Sequence, residues 1–238
     1  MKSLLNTIIK YIKGQKCHFY FSPLGEEKNE VVVLVHGLTR RSINFYHLGR
    51  LLQKRGYHVY LYDYQSSRYS VAEHGQHFKA YLEKIVAELA GKKINLVTHS
   101  MGGILTREAL GHLAAAATTS EHEILTRECF KRIVMIAPPN LGADIARRCC
   151  KYLPFTAHWL KPLAELSNAD DSYIHQVPIP TGLDIGIIIG LFDHEVKPEY
   201  TILPGVTHYL TIKAEHSFIM YMPAAKKAVV SFLENGYF

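Results

Sequence analysis

The residues best placed to do chemistry lie in Val97-Thr98-His99-Ser100-Met101-Gly102-Gly103-Ile104. A serine hydroxyl is a poor nucleophile until it is exposed, aimed and relieved of its proton by a base. Here a strand-like run, Ile94 to Thr98, leads through Ser100 into a run with helical spacing, Met101 to Ala117. A sharp strand-to-helix turn lifts such a hydroxyl above the carboxyl end of a sheet and sets it at a helix N-terminus. The turn is crowded, which favours Gly two residues after the serine, and Gly102 stands there. Gly is also favoured two residues before; this chain has Thr98, a short side chain in place of none.

Attack on an ester creates a tetrahedral oxyanion, which needs two preorganised N–H donors. The amide of Met101, just after the nucleophile, is one candidate. The second is Leu38, in Val35-His36-Gly37-Leu38-Thr39, where Gly37 lets the backbone pass close to a substrate. The base should be a histidine late in the chain with a carboxylate before it. Of fourteen histidines, His216 fits best, after the last strand-like run and before the last helix; His208 is second, because it precedes that run. Asp193 follows the run Ile185 to Gly190 and is the candidate acid. Glu195 is a fallback, and Asp184 falls at the opposite end of the same run. The order Ser100, Asp193, His216 suits this chemistry: Asp193 holds the imidazole's tautomer while His216 takes and returns the proton.

These residues require elements that bring distant segments together. Strand-like runs alternate with helix-like ones, which predicts a mostly parallel sheet with helices on both faces. Val31 to Val35 is apolar throughout, as in a strand buried on both sides. Val59 to Tyr62, Ile94 to Thr98, Arg132 to Ala137, Ile185 to Gly190 and Tyr209 to Lys213 read as further strands, and His18 to Phe21 as a short edge strand. Ser42 to Lys54, Val71 to Leu89, Met101 to Ala117 and Ala224 to Leu233 read as helices. The whole chain reads as one domain. The stretch 138–184 exceeds what a crossover needs and carries the only tryptophan, Trp159; it reads either as a decorated crossover or as a lid over a cleft.

The motifs together resemble the α/β-hydrolase superfamily, and within it the small bacterial lipase- and esterase-like members. Those carry an H-G-[LF] strand end, an [ST]-H-S-M-G-G elbow, a D-x-x-V segment and a late H-[ST]-F. This chain has His36-Gly37-Leu38, Thr98 to Gly103, Asp193-His194-Glu195-Val196 and His216-Ser217-Phe218. Ala137-Pro138-Pro139-Asn140-Leu141-Gly142 is similar to their [GA]-[TP]-P-N-x-G turn. Where a Gly often follows the acid, His194 stands. The likeness runs from about Val31 to the C-terminus. It implies hydrolysis of a carboxylic ester through an acyl-enzyme, with no metal or organic cofactor. An acyltransferase using the same acyl-enzyme, and a non-catalytic binding protein on this fold, are the alternatives.

Composition narrows the rest. At 238 residues, 48% hydrophobic and 20% charged, the chain can bury a full-sized core and is not disordered. The net charge is +6, but Lys and Arg are scattered, which argues against nucleic acid. The expected partner is a small-molecule or lipid ester with an apolar acyl chain. None of Cys17, Cys129, Cys149 and Cys150 forms a C-x-x-C pair, so reduced thiols in a cytoplasm are expected. His74 and His77 have a spacing that could hold zinc, but solvated helix residues are the simpler reading. Met1 to Cys17 has apolar residues at helical spacing, punctuated by lysines. It reads as a helix packed on the body, or one touching a membrane surface.

Overall fold

The chain's computed structural model describes residues 18–89, 91–111, 113, 124–153, 155 and 159–238. The N-terminal segment expected to be helical therefore lies outside the described residues. Seven strands form one sheet: β1 (Phe19–Phe21), β2 (Glu30–Val35), β3 (His58–Tyr62), β4 (Lys93–His99), β5 (Phe130–Ile136), β6 (Asp184–Gly190) and β7 (His208–Ile212). Their order is β1-β3-β2-β4-β5-β6-β7. Only β1 runs antiparallel to its neighbour, β3.

Alternation along β2 explains its uniform apolar character. Val31, Val33 and Val35 enter one core layer, and Val32 and Leu34 enter the other; all five are fully buried. The first layer is closed by α2 (Val71–Glu88) and α3 (Met101–Leu110) through Phe78, Leu82, Ile104 and Leu105. The second is closed by α1 (Tyr46–Lys54) and α6 (Pro223–Asn235) through Leu48, Leu52, Val229 and Phe232. Each of these side chains, once fully buried, is worth about 1.5–3 kcal/mol.

Local chemistry sets the helix ends. At the start of α2 the Ser70 Oγ accepts from the Glu73 N–H at 3.2 Å, and the Glu73 carboxylate accepts from the Ser70 N–H at 2.8 Å. Pro223 opens α6, and Gly236, at φ 84°, closes it. Helix α3 is shorter than the spacing suggests: it ends at Leu110, where Gly111 packs so tightly that an added Cβ would lie 2.4 Å from Pro178. Among the described residues the long stretch 138–184 carries the short helices α4 (Asp144–Tyr152) and α5 (Pro162–Glu165). The buried Arg107 guanidinium, on α3, anchors that stretch by donating to the carbonyls of Asn140 (2.8 Å), Val177 (2.5 Å) and Pro178 (3.2 Å). Burial lowers its pKa to about 10.

The topology fixes where a ligand belongs. From β2 the chain moves to β3 on one side and then returns to β4 on the other. The loops leaving β2 and β4 therefore diverge, and the crevice at such a switch point is where open α/β sheets bind ligands.

Candidate active site

Ser100 sits in that crevice with a backbone an L-residue rarely adopts, φ 53° and ψ −128°. Strain of this kind costs on the order of 1–3 kcal/mol and persists only where the surroundings enforce it. Here the Ser100 N–H is held by the Ile136 carbonyl at 2.9 Å, and the Ser100 carbonyl accepts from the Gly103 N–H at 2.9 Å. Two glycines permit the crowding. A Cβ on Gly102 would lie 2.5 Å from the Val35 carbonyl oxygen, and one on Gly37 would lie 2.8 Å from the Ser100 Cβ. Thr98 is buried in β4, opposite Val35, so the turn forms without a glycine there.

The structure brings Ser100, His216 and Asp193 into one line. The Ser100 hydroxyl donates to His216 Nε2 at 2.9 Å. His216 Nδ1–H donates to Asp193 Oδ2 at 2.6 Å. The other carboxylate oxygen, Asp193 Oδ1, accepts from the backbone N–H groups of Glu195 (2.9 Å) and Val196 (2.7 Å). Both the histidine and the aspartate are buried, while Ser100 is partly open. The Asp193 and His216 loops are stitched to each other: Leu191 N–H donates to Ile212 at 2.8 Å, and Phe192 N–H to Ala214 at 3.2 Å. Gly190 keeps that contact close, since a Cβ there would lie 2.9 Å from the Ala214 carbonyl oxygen.

The other candidates stand elsewhere. His208 is exposed, with its ring edge-on to Phe232. Asp184 pairs with Arg132 at 3.1 Å at the amino end of β6. The Glu195 carboxylate accepts from Ser217 Oγ at 3.0 Å and makes no bond to His216. His74, expected to be solvated, is buried, its ring edge-on to Tyr64 and Tyr69. Among the described residues no group of three or more metal-ligating side chains occurs.

Met101 heads α3, so its N–H is one of the first-turn amides that a helix leaves without an internal partner. Leu38 and Ser100 line the same cavity of ≈ 190 Å³. Its walls are largely apolar: Ala146 and Cys149 of α4, Leu163 of α5, and Leu160 and Val196 from the loops. The stretch 138–184 thus forms much of the wall beside the serine.

Sequence reasoning passed over His99. Its Nε2–H donates to the His216 backbone carbonyl at 2.9 Å, so the residue before the serine fixes the loop that carries the imidazole. Complete burial holds the His99 pKa well below its usual range, and the ring is neutral. Arg40 was missed as well: its guanidinium donates to Ser217 Oγ, which donates on to Glu195. The chemical types were visible in the sequence, but nothing in it signalled these partners across the fold.

Comparison with known proteins agrees with this architecture. Residues 30–144 match a family model described as the alpha/beta hydrolase fold. The mature lipase BlEst2 of Bacillus licheniformis superposes with a TM-score of 0.72 at 19% identity, covering 93% of this chain and 98% of that one. A monoacylglycerol lipase of Paleococcus ferrophilus gives 0.63 at 17%, covering 92% and 98%. A thermophilic esterase of Thermogutta terrifontis, Est2, gives 0.57 at 17%, covering 92% and 89%. At these identities the likeness is one of fold. The chain has the alpha/beta hydrolase fold.

Proposed function

We propose that the protein is a serine hydrolase that cleaves carboxylic esters through an acyl-enzyme on Ser100. The observation that carries the reading is the unbroken line from the Ser100 hydroxyl through His216 to Asp193. Ser100 Oγ attacks the ester carbonyl carbon, and its proton passes to His216 Nε2. The Leu38 and Met101 N–H groups hold the oxyanion. Asp193 stabilises the imidazolium, whose proton then leaves with the alcohol. Water, deprotonated by the same imidazole, hydrolyses the acyl-serine, releases the carboxylic acid and restores the hydroxyl. No cofactor is needed for any of these steps.

The apolar cavity takes the acyl chain. At ≈ 190 Å³ it is smaller than the roughly 300–1,000 Å³ typical of small-molecule sites, so short chains fit best. Longer ones require α4 and α5 to move, which makes 138–184 a cap over the serine. No helix among the described residues is long and apolar enough to cross a membrane. A cytoplasmic setting suits the free thiols of Cys129, Cys149 and Cys150. Lipid contact through the N-terminal segment belongs to the same proposal.

The test is rapid mixing with p-nitrophenyl esters of increasing chain length. A burst of p-nitrophenol equal to the enzyme concentration, largest in kcat/KM for short chains, is expected. Absence of cleavage across the series would contradict the assignment.

A further inference from the structure

Beside the Ser100 cavity lies a second, open cleft of ≈ 810 Å³. The two share Thr39 and Arg40 and are divided by consecutive residues: Leu160 lines the inner cavity, Trp159 and Lys161 the outer cleft. Their chemistry differs sharply. The inner walls are largely aliphatic. The outer ones carry Arg40, Arg41, Arg68 and Lys161, with Ser66 and Ser67 among them, and among the described residues no carboxylate lines the cleft.

These cations are unequally engaged. Arg41 forks onto Asp63 at 2.7–3.2 Å and is neutralised there. Arg40 reaches Glu195 only by way of Ser217. Arg68 donates to the neutral Gln65 amide at 3.1 Å and lies over the Tyr69 ring at 5.7 Å. Among the described residues neither Arg68 nor Lys161 forms an ion pair with a carboxylate. The Glu73 carboxylate, which feels Lys161, is already bonded to the Ser70 N–H and hydroxyl.

Backbone bonds hold the set in place. The Lys161 N–H donates to the Ser67 carbonyl at 3.0 Å, and the Val71 N–H donates to the Glu165 carboxylate at 2.6 Å. Segment 159–165 is thereby tied to the loop after β3. Holding Arg68 and Lys161 in one concavity without an ion-pair partner is unfavourable until an anion enters, and the arginine fork with nearby hydroxyls matches a phosphate.

We propose that this cleft holds a phosphate on the alcohol half of the substrate, so that the ester cleaved has an acyl chain in the inner cavity and a phosphate-bearing leaving group across Thr39 and Arg40. The reaction rests on the serine-hydrolase reading; the anion site does not.

The test compares monohexanoylglycerol with hexanoylglycerol phosphate, both below their aggregation limits. Wild type should favour the phosphate ester by about tenfold or more in kcat/KM. Arg68→Gln with Lys161→Gln should cut that preference about tenfold, mainly through KM, whereas Lys226→Gln with Lys227→Gln, an equal loss of charge on α6, should leave it intact. A wild-type ratio near one, or a ratio the double variant does not move, overturns the proposal. A second arm measures binding to Ser100→Ala by calorimetry. Hexyl phosphate should bind more tightly than inorganic phosphate, and hexanol should not bind measurably. Equal binding of inorganic and hexyl phosphate would mean a site for the free anion and would also overturn the proposal. Hexyl phosphate binding that depends on Arg68 and Lys161, in a protein that turns over neither ester, would fail the hydrolase reading and leave the anion site standing.

Discussion

Two histidine–aspartate pairs are buried at the carboxyl edge of this sheet, and they are built for opposite purposes. In the first, His216 accepts a hydrogen bond from Ser100 on one ring nitrogen and donates one to Asp193 from the other. In the second, His36 Nδ1–H donates to the Gly37 carbonyl at 2.9 Å while Nε2 accepts from the Tyr64 N–H at 3.3 Å. That leaves no proton on the nitrogen facing Asp63, 3.6 Å away, so the close approach is not an ion pair. Asp63 is instead neutralised by Arg41 and accepts from the Ser42 N–H at 2.9 Å. The His36 ring is stacked on Tyr64, and burial lowers its pKa to about 4. One pair is oriented to move a proton. The other ties the ends of β2 and β3 together. Residue identity does not separate them; the donors and acceptors around each ring do.

The comparison can be broken by exchanging the outcomes. Ser100→Ala should lower kcat by about 10⁴- to 10⁶-fold, with little loss of stability, in steady-state ester hydrolysis. Asp193→Asn should lower it by about 10³- to 10⁴-fold, because the amide no longer selects the His216 tautomer. His36→Ala should do the reverse. It leaves the Tyr64 N–H and the Gly37 carbonyl unpaired, so it should cost about 3 kcal/mol in urea unfolding while kcat of the folded enzyme falls less than about tenfold. Were His36→Ala to abolish turnover in a well-folded protein, the division of roles drawn here would be wrong.

Acid should act on the His36 ring. His36 has a folded pKa of about 4 against a usual 6.5, so between these values the unfolded chain binds a proton that the folded chain does not. Stability from this ring is whole above about pH 6.5 and is lost as pH falls toward 4, by up to about 3 kcal/mol. His99, lowered by the same cause, adds in the same direction. Urea midpoints should therefore be flat from pH 7 to 8 and decline below 6.5. His36→Gln should flatten part of that decline. The smallest effect belongs to His208→Ala, which should alter kcat less than about twofold; a large loss would move the base away from His216.

Much of this was legible because some signals are local. Five apolar residues from Val31 to Val35 can only be a strand covered on both faces, and the elbow from Thr98 to Gly103 is written in consecutive residues. Asp193 and His216 were found by their places after strands, which the parallel topology turns into nearness. What could not be read depends on contacts between distant segments. Asp63 and Arg41 carry no motif, and only the register of β2 against β3 sets them beside His36. Arg107 has the look of a surface residue on α3, yet it is 3% exposed because three carbonyls of the following stretch converge on it. His74 was expected in water and is buried for a similar reason: Tyr64 and Tyr69 come from another loop.

The most direct measurement is reaction with a fluorophosphonate, followed by intact mass and peptide mapping. The account requires one adduct per chain, on the peptide that contains Ser100, and loss of that adduct over the same interval in His216→Ala. Modification at another residue, or equal labelling without the imidazole, would contradict it.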